Sequence, residues 1–387
     1  MEYNLSINKK SIFIVCLFLL SLLGGLKNIY VLSQNSGFLN LANKIQYLIY
    51  LVLLFIILYK KYYLREFLIT LVVGSLLFIG YLKSHMSGFL EGFLLLLASK
   101  DIDINKIFKT MRYSISISII FASILYALGI SNAGIARRGY NSFGFAHPNV
   151  AGQVYMLFVL LWVAEHYKYR LGKITLIVSL SCIVIFLLTG SRTVLVTLAS
   201  LIILLPLMKK LFNNFSSNNL GVKLAEGIHP FFTLFTYIAA KNLGNSLLLN
   251  RLDVITVNRL FLNYFALNHF GVYWFGQNTD LKTYGNVYND IRNIYWNTGT
   301  TVDSTYMTSI LVMGIIPTII WSMGYMFMMA RVARTKNYVF FTLAIVLCLE
   351  SFMETGMLSI YNNFVWFFLF AKLIPENKEV EINETDS

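Results

Sequence analysis

The chain has 387 residues, of which 57% are hydrophobic and only 13% charged, whereas soluble globular domains carry about 25% charged residues. That balance excludes a soluble enzyme. The net charge of +13 would suggest nucleic acid in a soluble domain, but here membrane topology accounts for most of it, and no nucleic-acid partner is expected.

A bilayer crossing needs an apolar run of about 17–25 residues. Runs of roughly this kind fall near 11–28, 41–59, 65–82, 84–99, 111–130, 148–167, 173–189, 191–208, 226–240, 303–330, 338–354 and 357–373. They predict an all-α integral membrane protein with about twelve transmembrane helices. Basic clusters sit at alternate ends of these runs: Lys9 and Lys10; Lys60, Lys61 and Arg65; Lys100, Lys106, Lys109 and Arg112; Lys168, Arg170 and Lys173; Lys209, Lys210 and Lys223; Arg331, Arg334 and Lys336; then Lys372 and Lys378. The positive-inside rule then puts both termini in the cytoplasm and favours an even helix count. The first run lacks a small-residue cleavage site and reads as a retained signal-anchor. Cys16, Cys182 and Cys348 lie in separate apolar runs, so neither a disulfide frame nor a thiolate metal site is implied. Residues 1–373 read as a single polytopic membrane domain and 374–387 as a short cytoplasmic tail.

The one long extramembrane stretch, about 241–302, is expected outside, and loops of that length usually have a role. It begins with an amphipathic segment, Arg251 to Phe275, in which Leu252, Ile255, Leu260, Phe261, Phe265 and Leu267 recur at near-helical spacing. This predicts an interfacial helix. Farther on, Tyr284, Tyr288, Tyr295 and Trp296 interleave with Asn286, Asn289, Asn293 and Asn297. That pattern suits sugar contact and equally suits an aromatic interfacial belt.

Arginines on the side that should be poor in positive charge need a reason to be there. Arg192 lies in Thr189-Gly-Ser191-Arg192-Thr, at the turn where a helix starts from the outer surface. Arg137 and Arg138 precede a Gly-rich outer segment, and helices also start at Pro148 and Asp303 in the same layer. Helix N-termini and guanidinium groups together make an anion site; a lone arginine at a helix end would instead be a snorkelling or lipid-headgroup contact. Arg259, on the amphipathic segment, either reaches over the membrane mouth or is solvated. Asp303 has two readings, an N-cap or a catalytic acid/base.

Glu91, in Gly88-Phe-Leu-Glu91-Gly92, and the pair Glu350 and Glu354, one turn apart, are intramembrane acids and so candidates for function. For Glu91 the competing reading is a salt bridge to a basic neighbour within a small-xxx-small packing motif. His85, His147, His166, His229 and His269 show no metal-ligand spacing, and a metal-independent mechanism without cofactor is expected.

Four motifs occur in a fixed order: Phe143-Gly-Phe-Ala-His147-Pro-Asn149 opening a helix, Thr189-Gly-Ser-Arg192-Thr between two helices, Arg259 with a downstream glycine, and Asp303-Ser-Thr-Tyr306 opening a helix with Gly314 beyond. Over about residues 135 to 320 this order resembles the O-antigen polymerase and ligase family, most closely the capsular or exopolysaccharide repeat-unit polymerases of Gram-positive bacteria. The resemblance implies a glycosyltransferase in the bacterial cytoplasmic membrane, with its active site facing outside. Such an enzyme takes the growing glycan from a polyprenyl diphosphate and joins it to a new lipid-linked repeat unit, alongside a flippase and a chain-length regulator of the same pathway.

By the same resemblance Asp303, Arg192 and Arg259 are expected to be catalytic, and Arg137, Arg138, His147, Asn149, Ser191, Tyr306 and His269 to contact diphosphate or sugar. The ligase branch uses a His near the start of the helix after the large loop as base. Asp303 stands there in this chain, with His269 and Glu354 as reserves. A single base without an evident nucleophile favours inversion. Two alternatives stay open: a ligase passing finished glycan to another acceptor, and a lipid-linked oligosaccharide flippase, although no repeat of two halves with paired broken helices is visible.

Overall fold

A computed structural model describes residues 9–60, 62–132, 139–213, 220–256, 258–279 and 302–373. Lys61, Arg137, Arg138, the Tyr/Asn-rich part of the large loop and the tail 374–387 lie outside the described residues. In chain order the helices are α1 (Lys9–Lys27), α2 (Tyr30–Ser33), α3 (Ser36–Leu58), α4 (Leu64–Ser84), α5 (Gly88–Ala98), α6 (Ile104–Ala127), α7 (Pro148–Glu165), α8 (Leu171–Thr189) and α9 (Arg192–Asn213). They continue with α10 (Leu220–Glu226), α11 (Ile228–Lys241), α12 (Leu247–Ile255), α13 (Arg259–Phe270), α14 (Thr305–Thr308), α15 (Ile315–Arg334) and α16 (Tyr338–Met353).

Eight of these, α1, α3, α4, α6, α7, α8, α9 and α15, are long and apolar enough to cross a membrane. The chain is an all-α, multi-pass membrane protein. Its helices begin where polar side chains can satisfy the free N–H groups of the first turn. Asn35 accepts from the Phe38 amide, Asp103 from the Asn105 amide and Asn337 from the Phe340 amide. His147 does the same for α7, with Pro148 at the first helical position, where a missing N–H costs nothing.

Five of the twelve expected runs depart from a single long helix. Those near 84–99, 226–240 and 338–354 make the shorter helices α5, α11 and α16 of 11, 14 and 16 residues. The run near 303–330 is broken at Gly314, and only the part beyond it forms the long helix α15. The run near 357–373 forms no α-helix. Two 3-10 turns, Thr355–Leu358 and Phe364–Leu369, flank a bend at Ser359 to Asn363, where Ser and Asn side chains compete with the helical ladder.

Non-helical backbone is tolerated at membrane depth only where protein surrounds it, and Phe364, Val365, Trp366, Phe367 and Phe368 are indeed fully buried. Arg331 donates to the Phe368 and Ala371 carbonyls at 2.7 and 2.8 Å, satisfying acceptors that no ladder reaches.

The amphipathic segment is two helices rather than one. Between α12 and α13, Asn258 takes a left-handed conformation and the chain turns. The buried Asp253 accepts from the Phe261 amide at 2.8 Å, capping α13 from the preceding helix. Helix α13 then packs on α11 through Leu260, Leu262 and Ala266.

Helix α16 is buried on nearly every side, as a helix apolar around most of its circumference should be, and packs against α9, α7 and α15. Around it runs an aromatic column: Phe89 stacks on Trp321 with ring centroids 4.5 Å apart, and Trp321 lies 4.1 Å from Trp366. Gly92 faces the Trp321 ring, where even a methyl group would stand 3.0 Å from it. The Gly88-x-x-x-Gly92 spacing therefore serves packing.

Candidate functional site

The starts of α7, α9 and α14 and the end of α16 meet at one end of the bundle, and Glu354 is their common point. It caps the C-terminal end of α16 in an extended conformation, where the helix stops and the carboxyl group leaves the ladder. Its Oε1 accepts from the Thr193 hydroxyl at 2.8 Å, from the first turn of α9. Gln153 of α7 also hydrogen-bonds the carboxyl group, and the Thr305 hydroxyl donates to the Glu354 backbone carbonyl.

Two glycines make this convergence possible. Gly152 lets α7 approach the 189–194 turn, since a Cβ there would lie 3.0 Å from both Ser191 Cβ and Thr189 Oγ1. Gly190 takes φ +61° and lies beneath the Tyr140 ring, at 2.3 Å from a hypothetical Cβ.

Across from these donors stands Arg259, the first residue of α13. Its Nη2 is 3.9 Å from Glu354 Oε1, with the two side chains 22% and 15% exposed. That is ion-pair reach but too long for a hydrogen bond. Arg259 Nη1 is buried and has no hydrogen-bond partner among the described residues. Asp303 lies near enough to raise the proton affinity of Glu354 electrostatically.

Glu354 lies past the end of its helix, and burial is the main cause that pushes its carboxyl group above the usual range. The Asp303 charge acts the same way, while the Thr193 and Gln153 hydrogen bonds and the Arg259 charge oppose it. A carboxyl group so held, beside an undersaturated guanidinium, can take a proton from a neutral acceptor while the guanidinium holds an anion.

No protein-family model, curated protein or solved structure matches this chain. What the site can do therefore rests on its own geometry.

Of the expected site residues, the structure brings Arg259 and Asp303 together with the reserve Glu354. Arg192 is exposed at the first position of α9, immediately before Thr193. Ser191 is buried, its hydroxyl without a partner among the described residues. His147 Nδ1 accepts from the Asn149 amide at 3.1 Å, so both residues belong to the helix cap. Arg137 and Arg138 lie outside the described residues.

Two placements differ from expectation. Tyr306 is fully buried, its hydroxyl given to the Cys348 carbonyl at 2.9 Å and its ring packed edge-on against His229; it anchors α14 to α16 and presents nothing to a substrate. His269 is exposed at the far end of α13, parallel to the Phe265 ring. It lies about 15 Å along the helix from Arg259 at 1.5 Å per residue. Asp303 is not the N-cap of α14 either: Ser304 takes that position and accepts from the Met307 amide.

Thr193, Gln153 and Thr305 were not singled out by sequence. An amide in the interior of the apolar run 148–167, past the Asn149 of its first turn, is the one signal that could have found Gln153.

The break at Gly314 ties the site to the large loop. Gly314 takes φ +92° and ψ +173°, a region open essentially to glycine alone. Its backbone meets that of Gly276, so a Cβ on Gly314 would stand 2.1 Å from the Gly276 nitrogen and a Cβ on Gly276 2.0 Å from the Val312 carbonyl oxygen. The Tyr273 and Trp274 carbonyls accept from the Ile315 and Ile316 amides at 3.0 and 2.9 Å, filling the free first turn of α15. The loop segment after α13 is thus clasped to the segment that follows Asp303.

Proposed function

We propose that this chain is a polysaccharide polymerase that joins polyprenyl-diphosphate-linked oligosaccharide repeat units at the outer face of a bacterial cytoplasmic membrane, with about twelve crossings and both termini cytoplasmic. The observation that carries the reading is the Arg259–Glu354 pair, a carboxyl group fixed by Thr193 and Gln153 facing a guanidinium with a donor to spare. Outside the cell no nucleotide sugar is available, so the energy arrives in the sugar–diphosphate bond.

In this mechanism a hydroxyl oxygen of the acceptor sugar attacks the anomeric carbon of the donor. The carbon–oxygen bond to the diphosphate breaks, and the diphosphate leaves with the electron pair. Glu354 takes the proton of the attacking hydroxyl, a role moved here from Asp303, which tunes Glu354 electrostatically. Arg259, with Arg192 beside the site, neutralises the charge growing on the leaving oxygen; Arg137 and Arg138, expected to hold the diphosphate, lie outside the described residues.

The test is gel and mass analysis of lipid-linked glycans from cells carrying the gene, its deletion, and Glu354→Gln. Single repeat units accumulating without polymer in both altered strains is the expected result. Long polymer retained on its lipid in the deletion strain would make the protein a ligase, and units trapped on the cytoplasmic side would make it a flippase.

A further inference from the structure

A cavity of about 530 Å³ opens between α3, α5 and the bend at 355–362, within the range of about 300–1,000 Å³ typical of small-ligand sites. Its wall includes Val302, Thr308 and Thr355, and Val302 and Thr355 are the chain neighbours of Asp303 and Glu354. Two further cavities, around α4, are walled mainly by apolar side chains; this one is not. Glu91 lines it, with one carboxylate oxygen accepting from Tyr50 at 2.9 Å and the other from Ser87. Tyr50 in turn shares a 2.6 Å hydrogen bond with Tyr361.

The expected salt bridge of Glu91 is replaced by these hydroxyls, with Lys27 near enough only to interact electrostatically. Opposite, the Thr308 side chain is 2% exposed, lines the same cavity, and its hydroxyl has no partner among the described residues. A buried hydroxyl left unpaired carries a desolvation penalty of about 1–3 kcal/mol, which a bound ligand would relieve.

We infer that this cavity is a glycan subsite that seats a sugar of the lipid-linked chain beside Glu354, with Thr308 and Glu91 exchanging hydrogen bonds with its hydroxyls. The inference rests on the polymerase reading and adds where the sugar lies. Its chemistry is carboxylate, hydroxyl, amide and imidazole, with Asn362 and His85 at the wall and no guanidinium or ammonium among the described lining residues. That suits neutral polyols and not phosphate. The diphosphate belongs to Arg259 and the sugar to the cavity, so the anomeric bond between them falls at Glu354.

The experiment uses the full-length protein in detergent with Ser359→Cys as a reporter in the cavity wall, since Cys16, Cys182 and Cys348 are all buried. The rate of labelling by a small maleimide is followed by mass spectrometry while adding oligosaccharides made by partial hydrolysis of the host cell's surface polysaccharide. Labelling should slow as oligosaccharide is added. With Thr308→Val or Glu91→Gln in the same background, the half-protecting concentration should rise about tenfold, the loss expected for one well-made hydrogen bond.

Thr308→Val removes an orphaned hydroxyl and should fold at least as well as the parent, which keeps the test clear of misfolding. A labelling rate indifferent to oligosaccharide would overturn the subsite. Conversion of lipid-linked units to polymer is measured on the same preparations: polymer without protection removes the subsite and leaves the polymerase reading, whereas protection without polymer does the reverse.

Discussion

Arg259 and Glu354 face each other at 3.9 Å, with Thr193 and Gln153 holding the carboxyl group and one guanidinium nitrogen left without a partner. A tight bidentate salt bridge would satisfy both groups and leave nothing for a substrate. At this separation the pair keeps Coulombic attraction while the guanidinium fork stays open to a third, anionic group.

Replacing Arg259 with Ala should lower the rate of polymer formation by about 10²–10³, the usual cost of losing one aimed donor to a developing charge. Arg259→Lys should recover little, because an ammonium cannot make the forked contact. Rates measured on lipid-linked units at matched protein levels check this, and an Ala variant working at full speed would take Arg259 out of the chemistry.

Glu354 must be ionised to accept a proton. Since burial raises its affinity for one, activity should fall as the pH drops through a value above the ordinary glutamate figure of about 4.3. In Glu354→Gln the rate should be lower by about 10²–10⁴, and this acid limb should vanish from the profile. An acid limb that survives in the Gln variant belongs to another group, Asp303 first.

Thr193 acts through Glu354. Thr193→Val removes a hydrogen bond to a charged acceptor worth about 1.5–3 kcal/mol, so turnover should drop about 10–100-fold with little change in the concentration of lipid-linked unit needed. Thr193→Ser keeps the hydroxyl and should restore the rate. Equal activity in the Val and Ser variants would reduce Thr193 to packing.

Gly314→Ala puts a side chain where φ is +92° and the Gly276 backbone is already in contact. The conformational penalty alone is about 1–3 kcal/mol, and the clash adds to it. The thermal denaturation midpoint in detergent should fall clearly for Gly314→Ala and for Gly276→Ala. Gly139→Ala is the control, because its φ is also positive but no atom of the described residues lies within 4 Å of the added carbon.

Hydropathy alone revealed the class of fold and the positions of eight long helices, because a lipid-facing helix must be apolar along its whole length. It did not reveal where apolar sequence stops being helix. Gly314, and the Gly356, Ser359, Asn362 and Asn363 series, change the backbone without changing the average hydropathy. In the site, Arg259 and Asp303 were legible because charge beside a membrane stands out, and Glu354 was visible as one of two acids on a turn. Thr193 and Thr305 carry no such signal, since a hydroxyl in a helical first turn is ordinary. Tyr306 shared a motif with Asp303 and was read with it, although the helix that opens at Thr305 sends its ring into the core.

The stretch from Thr355 to Ala371 has a further consequence, for biogenesis. A segment whose carbonyls depend on Arg331 of another helix cannot leave the translocon as a self-sufficient span, because lipid offers no donors. Its assembly is therefore a docking event onto helices already laid down, and a chain in which Arg331 is replaced would be caught by quality-control proteolysis before any question of catalysis arises.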